Sequence, residues 1–232
     1  MPDIDLTPLL AISTATITTQ LFKKGIRSSY MKGPLPLVAD QARIVGPAFT
    51  IRFTPAREDL ATLASLQDGV SMQQAIEAIP PAAIAVVDAM GNTDCGIIGD
   101  IFARRMAERG VAGYVSDGAV RDVEGILASG LPVWCARPAA PLSIDGLVTA
   151  GWQQPVGCGR VTVIPDDVIV ADRDGAVVIP KALVAEIIRD GAEQERFEAW
   201  VLGRVEAGAS LPGLYPATAA AQAAYAADQG DG

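Results

Sequence analysis

Between Gly99 and Asp122 the chain reads GDIFARRMAERGVAGYVSDGAVRD, which sets Asp100, then the twenty residues 101–120, then the pair Arg121-Asp122. Charges spread over the solvated face of a helix carry little information. These three instead stand beside apolar segments and glycine turns, at the element boundaries where α/β proteins keep their sites. Two neighbouring carboxylates repel each other unless a cation lies between them, directly or through water. The chain has no histidine, and its three cysteines, Cys95, Cys135 and Cys158, form no CxxC pair. The cation these residues favour is therefore hard and oxygen-ligated, Mg²⁺ or Mn²⁺ rather than Zn²⁺. Helix N-termini and the small residues of GIIGD offer backbone N–H groups to a carboxylate or phosphate. A divalent ion together with Arg121 could stabilise an enolate oxygen, the transient species of carbon–carbon cleavage beside a ketone.

Each of these residues also has a structural reading. An aspartate at a helix start is often only a cap, and an isolated Arg-Asp in a first turn pairs a dipole-favoured carboxylate with a surface arginine. Their coincidence in one crevice is what selects the functional reading. Asp117-Gly118 and Asp174-Gly175 read as turn residues, Cys95 as a small buried side chain without a base partner, and Lys23, Lys24 and Lys32 as solvated surface.

The elements that must position the site follow from patterning. Ala82–Ala89 is a near-continuous apolar run, as expected of a strand buried on both faces. Asp100–Arg109 carries Ile101, Phe102, Met106 and Ala107 at helical spacing, with Gly110 as its stop. VAGYVS is the next strand, SDG a turn, AVRDVEGILAS a helix closed by Gly130, and LPVWCA a further strand. This β-α-β-α-β order over Ala82–Ala136 predicts parallel strands with right-handed crossovers. Asp100 then lies in the turn after the first strand, and Arg121 and Asp122 in the first helical turn after the second. Adjacent strand ends bring the two turns side by side.

Upstream, PLLAISTATITTQLFKKG reads as one N-terminal helix, RIVGPAFTIRF as a strand and SMQQAIEAI as a short helix stopped by Pro80 and Pro81. Downstream, Arg160–Pro180 holds short strands divided by a Pro-Asp-Asp turn and an Asp-Gly hairpin signal. A helical pattern then runs to about Ala207, broken near Asp190-Gly191, and an Ala-rich tail ends loosely. The whole, residues 1–232, reads as a single domain with a helical C-terminal extension over about 181–232.

Composition excludes several classes. Without histidine there is no Ser-His-Asp or Cys-His nucleophile system. A formal net charge of −9 with no basic cluster speaks against specific nucleic-acid binding. MPDIDLTPLL lacks the features of a signal peptide, no apolar run approaches membrane-spanning length, and the sparse cysteines suit a reducing cytoplasm.

GIIGDIFARRMAERGVAGYVSDGAVRD resembles the signature of the RraA-like proteins, which include class II pyruvate aldolases acting on 4-hydroxy-4-methyl-2-oxoglutarate and 4-carboxy-4-hydroxy-2-oxoadipate. RIVGPAFTIRF, PVGCGRVTVIPDDVIVADRDGAVVIP and the Glu-rich C-terminal helix resemble further family blocks, so the likeness covers roughly Ser13 to Tyr215. The resemblance implies an α/β fold, an αββα sandwich of the swivelling type, assembled as trimers or hexamers with the site at a subunit interface. It implies that Asp122 binds Mg²⁺ or Mn²⁺, that Asp100 orients water on the ion, and that Arg121 holds the 2-oxo group and stabilises the pyruvate enolate. The backbone around Gly99, Asp100 and Ile101 takes the substrate carboxylate, and a C-terminal glutamate, Glu195 or Glu198, enters from the neighbouring subunit. The implied reaction cleaves a 4-hydroxy-2-oxo acid to pyruvate and a carbonyl product, with oxaloacetate decarboxylation beside it. The family's usual early aspartate is Gln20 here, within a block expected to shape the distal substrate pocket. The alternative is a non-catalytic regulator that binds a ribonuclease, as other members of the family do.

Overall fold

The computed structural model describes residues 4–59, 61–64 and 70–230. Its strands in chain order are β1 (Tyr30–Met31), β2 (Leu35–Pro36), β3 (Ile44–Pro55), β4 (Ile84–Asp88), β5 (Gly113–Ser116), β6 (Ala119–Val120), β7 (Val133–Cys135), β8 (Arg137–Pro138), β9 (Leu147–Trp152), β10 (Val168–Asp172) and β11 (Gly175–Ile179). Its α-helices are α1 (Thr14–Lys23), α2 (Met72–Ala78), α3 (Asp100–Glu108), α4 (Val123–Ser129), α5 (Val184–Glu206) and α6 (Ala219–Gly230).

Side-chain alternation along the buried strands sorts the chain into four layers. Ala85 and Val87 of β4 face a core shared with Ala75, Ile76, Ala103, Met106 and Ile126 of α2, α3 and α4. Ile84 and Val86, one residue out of phase, face a second core with Trp134, Ile169, Ala171, Ala176 and Val178. On β10 and β11 the other faces, Val168, Val170, Val177 and Ile179, meet Ile17 and Leu21 of α1 and Ile187 of α5. The order is helices, strands, strands, helices, the αββα arrangement implied by the resemblance.

β3 joins the two strand layers. Ile44–Pro47 pair antiparallel with β10, whereas Ala48–Arg52 pair parallel with β4. The full order is β1-β11-β10-β3-β4-β5-β7-β2, with β9 beside the far half of β3. The two end strands of this order, β1 and β2, are separated in the chain only by residues 32–34, so the sheet folds back on itself. β4, β5 and β7 are parallel, as the β-α-β-α-β reading requires.

Three details differ from the sequence expectation. The single N-terminal helix is two elements: a 3₁₀ turn over Thr7–Ala11, then α1, divided because Ser13 is extended and its hydroxyl caps Thr16 N–H at 3.0 Å. Ala119-Val120 is strand rather than helix, because it pairs with Arg137-Pro138. α5 is unbroken at Gly191; that glycine lets Ile12 lie close, since a Cβ there would stand 3.0 Å from Ile12 Cγ2. The Ala-rich tail falls within the expected helical extension and forms α6, which docks on α5 where Tyr225 meets Phe197 edge-on at 5.3 Å; of the loose end expected there, residues 231–232 lie outside the described residues. No described helix is long and apolar enough to cross a membrane.

Candidate active site

β4 and β5 end side by side, and the segments that follow them converge. The segment after β4 runs along β6 as an extra rung: Ile97 N–H donates to Ala119 O at 2.9 Å, and Arg121 N–H to Ile98 O at 2.9 Å. Gly96 bridges both Ala119 and Leu142. These backbone bonds lock Arg121 to the residues immediately before α3. Gly96 is a close-approach position, where a Cβ would fall 2.7 Å from Ala139 O and 2.8 Å from Arg121 N. Gly96→Ala is therefore expected to shift the Arg121 segment, costing about 1–3 kcal/mol of stability and roughly 10²-fold in turnover. Denaturant melts and steady-state rates on one preparation check both effects, and wild-type values in both would contradict the account.

Gly99 is the residue before α3, and Asp100 opens the helix, its Oδ1 accepting Ile101 N–H at 2.7 Å. Asp100 sits over α4: a Cβ on Gly125 would lie 2.4 Å from Asp100 Cβ. Asp122 is the cap position of α4, in the left-handed region at φ 53°, ψ 47°. Aspartate tolerates that region better than most residues, and Ala82, Met90, Gln153, Arg160 and Asp166 of this chain also have positive φ. The Asp122 carboxylate makes no capping bond; Oδ2 instead accepts Arg121 Nε–H at 3.1 Å. The Arg121-Asp122 dipeptide thus forms the carboxylate–arginine pair that its structural reading expects, and it is Asp100 that bonds an N–H of a first helical turn. Asp122 Oδ2 lies above Gly99, where a Cβ would come within 2.5 Å of it, so a side chain at position 99 would fill the space beside the carboxylate. Arg121 follows β6 and precedes the cap of α4, so it stands just outside the first helical turn in which the sequence reading placed it.

These residues help line a cleft of about 700 Å³. Gly99, Asp100, Ile101, Arg121 and Asp122 all reach it, as expected. Its far walls come from distant segments, including Phe53 and Leu147 of β3 and β9, Met72 of α2 and Leu142. Sequence reasoning missed these, since nothing local marks an apolar residue as pocket rather than core.

Asp117, read as a turn residue, does more than turn the chain. It is buried and accepts three N–H groups, from Ala89 at 2.8 Å, Gly91 at 3.0 Å and Gly159 at 3.1 Å. Burial pushes its carboxyl up, and the backbone donors work against that. It clamps the start of the loop that leads to Asp100. The three cysteines are buried and free, and burial raises their thiols, Cys135 to about 11, which suits inert packing groups rather than nucleophiles.

The C-terminal glutamates are not in the cleft of their own chain. Glu195 Oε1 accepts Ser13 N–H at 2.8 Å, at the start of α1. Burial alone would raise its carboxyl. The Ser13 N–H, the Thr16 and Ser13 hydroxyls and the Arg43 guanidinium outweigh that and hold it below the ordinary 4.5. A lowered folded-state value means that ionised Glu195 adds stability above 4.5, lost as pH falls through the folded value. Glu195→Gln is expected to lower the melting temperature at neutral pH and to converge on wild type in acid. A pH-independent difference would refute this. Glu198 accepts Gln194 Nε2–H at 2.7 Å, and Gln194 in turn meets Gln20, which is buried in the α1–α5 seam.

The donor set suits a hard cation. Asp100 and Asp122 are exposed oxygen donors, and among the described residues no group of three or more His, Cys, Asp or Glu gathers to hold a metal. One or two carboxylates, with water and substrate oxygens completing the shell, is how Mg²⁺ is commonly held.

Comparison with known proteins bears on this geometry. Residues 14–178 match the family described as RraA-like, Aldolase/RraA. Protein DlpA of Legionella pneumophila is 30% identical over 188 residues, 81% of this chain but only 29% of DlpA. A Halalkalibacterium halodurans protein named "Putative 4-hydroxy-4-methyl-2-oxoglutarate aldolase" is 28% identical, over 66% of this chain and 67% of its own. The crystal structure of Streptomyces coelicolor RraAS2, described as an unusual member of the RNase ES inhibitor RraA protein family, is 34% identical with a TM-score of 0.77, covering 86% of this chain and 96% of RraAS2.

Proposed function

The chain belongs to the RraA-like family, and from that premise we propose that it is a divalent-metal-dependent lyase that cleaves a 4-hydroxy-2-oxo acid to pyruvate and a carbonyl product. The observation that carries this reading is Asp122. A capping residue in a left-handed conformation gives up its cap and shares its carboxylate with Arg121, beside Asp100, at the mouth of a cleft. A surface that only bound another protein would have no need of that arrangement.

Asp122 and Asp100 would hold Mg²⁺ or Mn²⁺, which supplies polarisation of the 2-oxo group. Arg121 spends Nε on Asp122, and its terminal nitrogens can then meet the 2-oxo oxygen. In the cleavage the 4-hydroxyl loses its proton, the C3–C4 bond breaks, and C4 becomes the carbonyl of the leaving product. The electron pair moves to C3 and the 2-oxo oxygen, and protonation at C3 gives pyruvate. Arg121 faces the oxygen on which charge gathers. Backbone N–H groups around Gly99–Ile101, at the start of α3, take the substrate carboxylate. Asp100 orients the water through which the hydroxyl proton leaves. Loss of CO₂ from oxaloacetate passes through the same enolate, which makes it the natural side reaction.

In this reading the protein works as a trimer or hexamer. Glu195 is occupied at Ser13, so Glu198 is the freer of the two glutamates for a neighbour's site. The likeness to RraAS2 supports a second reading, a non-catalytic regulator of a ribonuclease. Coupled detection of pyruvate, with 4-hydroxy-2-oxo acids and oxaloacetate offered in turn, tests the lyase. No pyruvate from any of them, with inhibition of an RNase ES-type enzyme, would put the regulator first.

A further inference from the structure

The cleft is chemically lopsided. Among its described lining residues Arg121 is the only Lys or Arg, and Asp100 and Asp122 are the only acids, the three standing together around Gly99. The rest of the lining is mostly apolar, including Phe53, Met72, Phe102, Leu142, Ile144 and Leu147. The polar side chains there are neutral: Gln73, Ser143, Thr149 and Ser71, whose hydroxyl already caps α2. In the lyase reading, on which this inference rests, Arg121 and the start of α3 are taken up by the 2-oxo acid head.

A second carboxylate farther along the substrate would find no further cation among the described wall residues of this chain. Moving an ionised carboxylate from water against apolar walls without a partner is strongly unfavourable. An alkyl or aryl group in the same place removes apolar surface from water on both sides. We propose that the cleft selects 2-oxo acids whose distal group is apolar and uncharged, rather than the dicarboxylates named for the 4-hydroxy-4-methyl-2-oxoglutarate aldolase relatives.

Two non-cleavable 2-oxo acids of equal backbone length separate the possibilities. 4-Methyl-2-oxopentanoate carries a branched apolar end, and 2-oxoglutarate carries a carboxylate; neither has the 4-hydroxyl that cleavage needs. Calorimetric titration of the full chain with each, in saturating Mg²⁺, is expected to show tighter binding of 4-methyl-2-oxopentanoate by about tenfold or more. Equal or tighter binding of 2-oxoglutarate would overturn the inference. Leu142 is exposed and lines the cleft, so Leu142→Arg, which supplies a second cation, is expected to reverse the order. An unchanged order in a folded Leu142→Arg protein would also count against it. Turnover is measured separately on a matched pair of 4-hydroxy-2-oxo acids, one with an apolar end and one with a carboxylate. Pyruvate from neither, with the binding preference intact, would sink the lyase reading and leave this inference standing.

Discussion

Arg121→Ala is expected to lower pyruvate release by about 10²–10³-fold, the usual loss when one preorganised donor to a developing oxyanion is removed. The guanidinium is held in place before substrate arrives: its backbone N–H bonds Ile98 O, its Cβ packs at Gly96, and its Nε is fixed by Asp122. It meets an oxygen that becomes fully charged only as the C–C bond breaks, so its contribution is larger in the transition state than with bound substrate. Arg121→Lys should recover little, because an ammonium cannot bond Asp122 and the oxyanion with one planar fork. Stability should change by under about 1 kcal/mol, since the pair lost is a partly exposed one. Oxaloacetate decarboxylation and melting temperature measured on the same sample decide the matter. A stable variant with undiminished decarboxylation would show that chemistry, if present, lies elsewhere.

Exhaustive chelation is expected to abolish pyruvate release, with Mg²⁺ or Mn²⁺ restoring it. The chain has no histidine with which to assemble a metal-free acyl-transfer or imidazole base system, and its cysteines are buried with raised thiols. Arg121 offsets only one of the two carboxylates, Asp122, so without a cation the site stays negative and repels an anionic substrate. Asp122→Ala should weaken Mn²⁺ binding in calorimetry as well as slow the reaction, whereas Asp100→Ala should mainly slow it. Full turnover in chelator would rule out this mechanism. Unaltered Mn²⁺ affinity in Asp122→Ala would remove that residue from the metal site.

The strands and helices around the site were legible because their signals are local. The apolar run of β4, the helical stripe of α3 and the glycine stops at Gly110 and Gly130 each depend on a few neighbouring residues, and the parallel order follows from their alternation. Reading Ala119-Val120 as helix failed because a short strand is defined by its partner, here Arg137-Pro138, which no local pattern announces. The same limit applies to Gly191. A glycine inside a helical pattern looks like a break until Ile12, far away in sequence, is seen lying against it.

What the sequence determined by itself is the chemistry on offer: no imidazole, two aspartates and an arginine at fixed spacing, and turns that bring them to one end of a parallel sheet. Those are properties of residue type and short-range periodicity. Tertiary structure alone decided which groups are free to act. It showed that the Asp122 carboxylate bonds Arg121 and not a helix N–H, that Asp117 is a buried clamp as well as a turn residue, and that Glu195 accepts Ser13 N–H within its own chain. It also decided the character of the cleft, because Phe53, Met72 and Leu142 meet only after long loops close. Hydrogen-bond partnership and solvent exclusion depend on three-dimensional neighbours, and a linear pattern does not encode them.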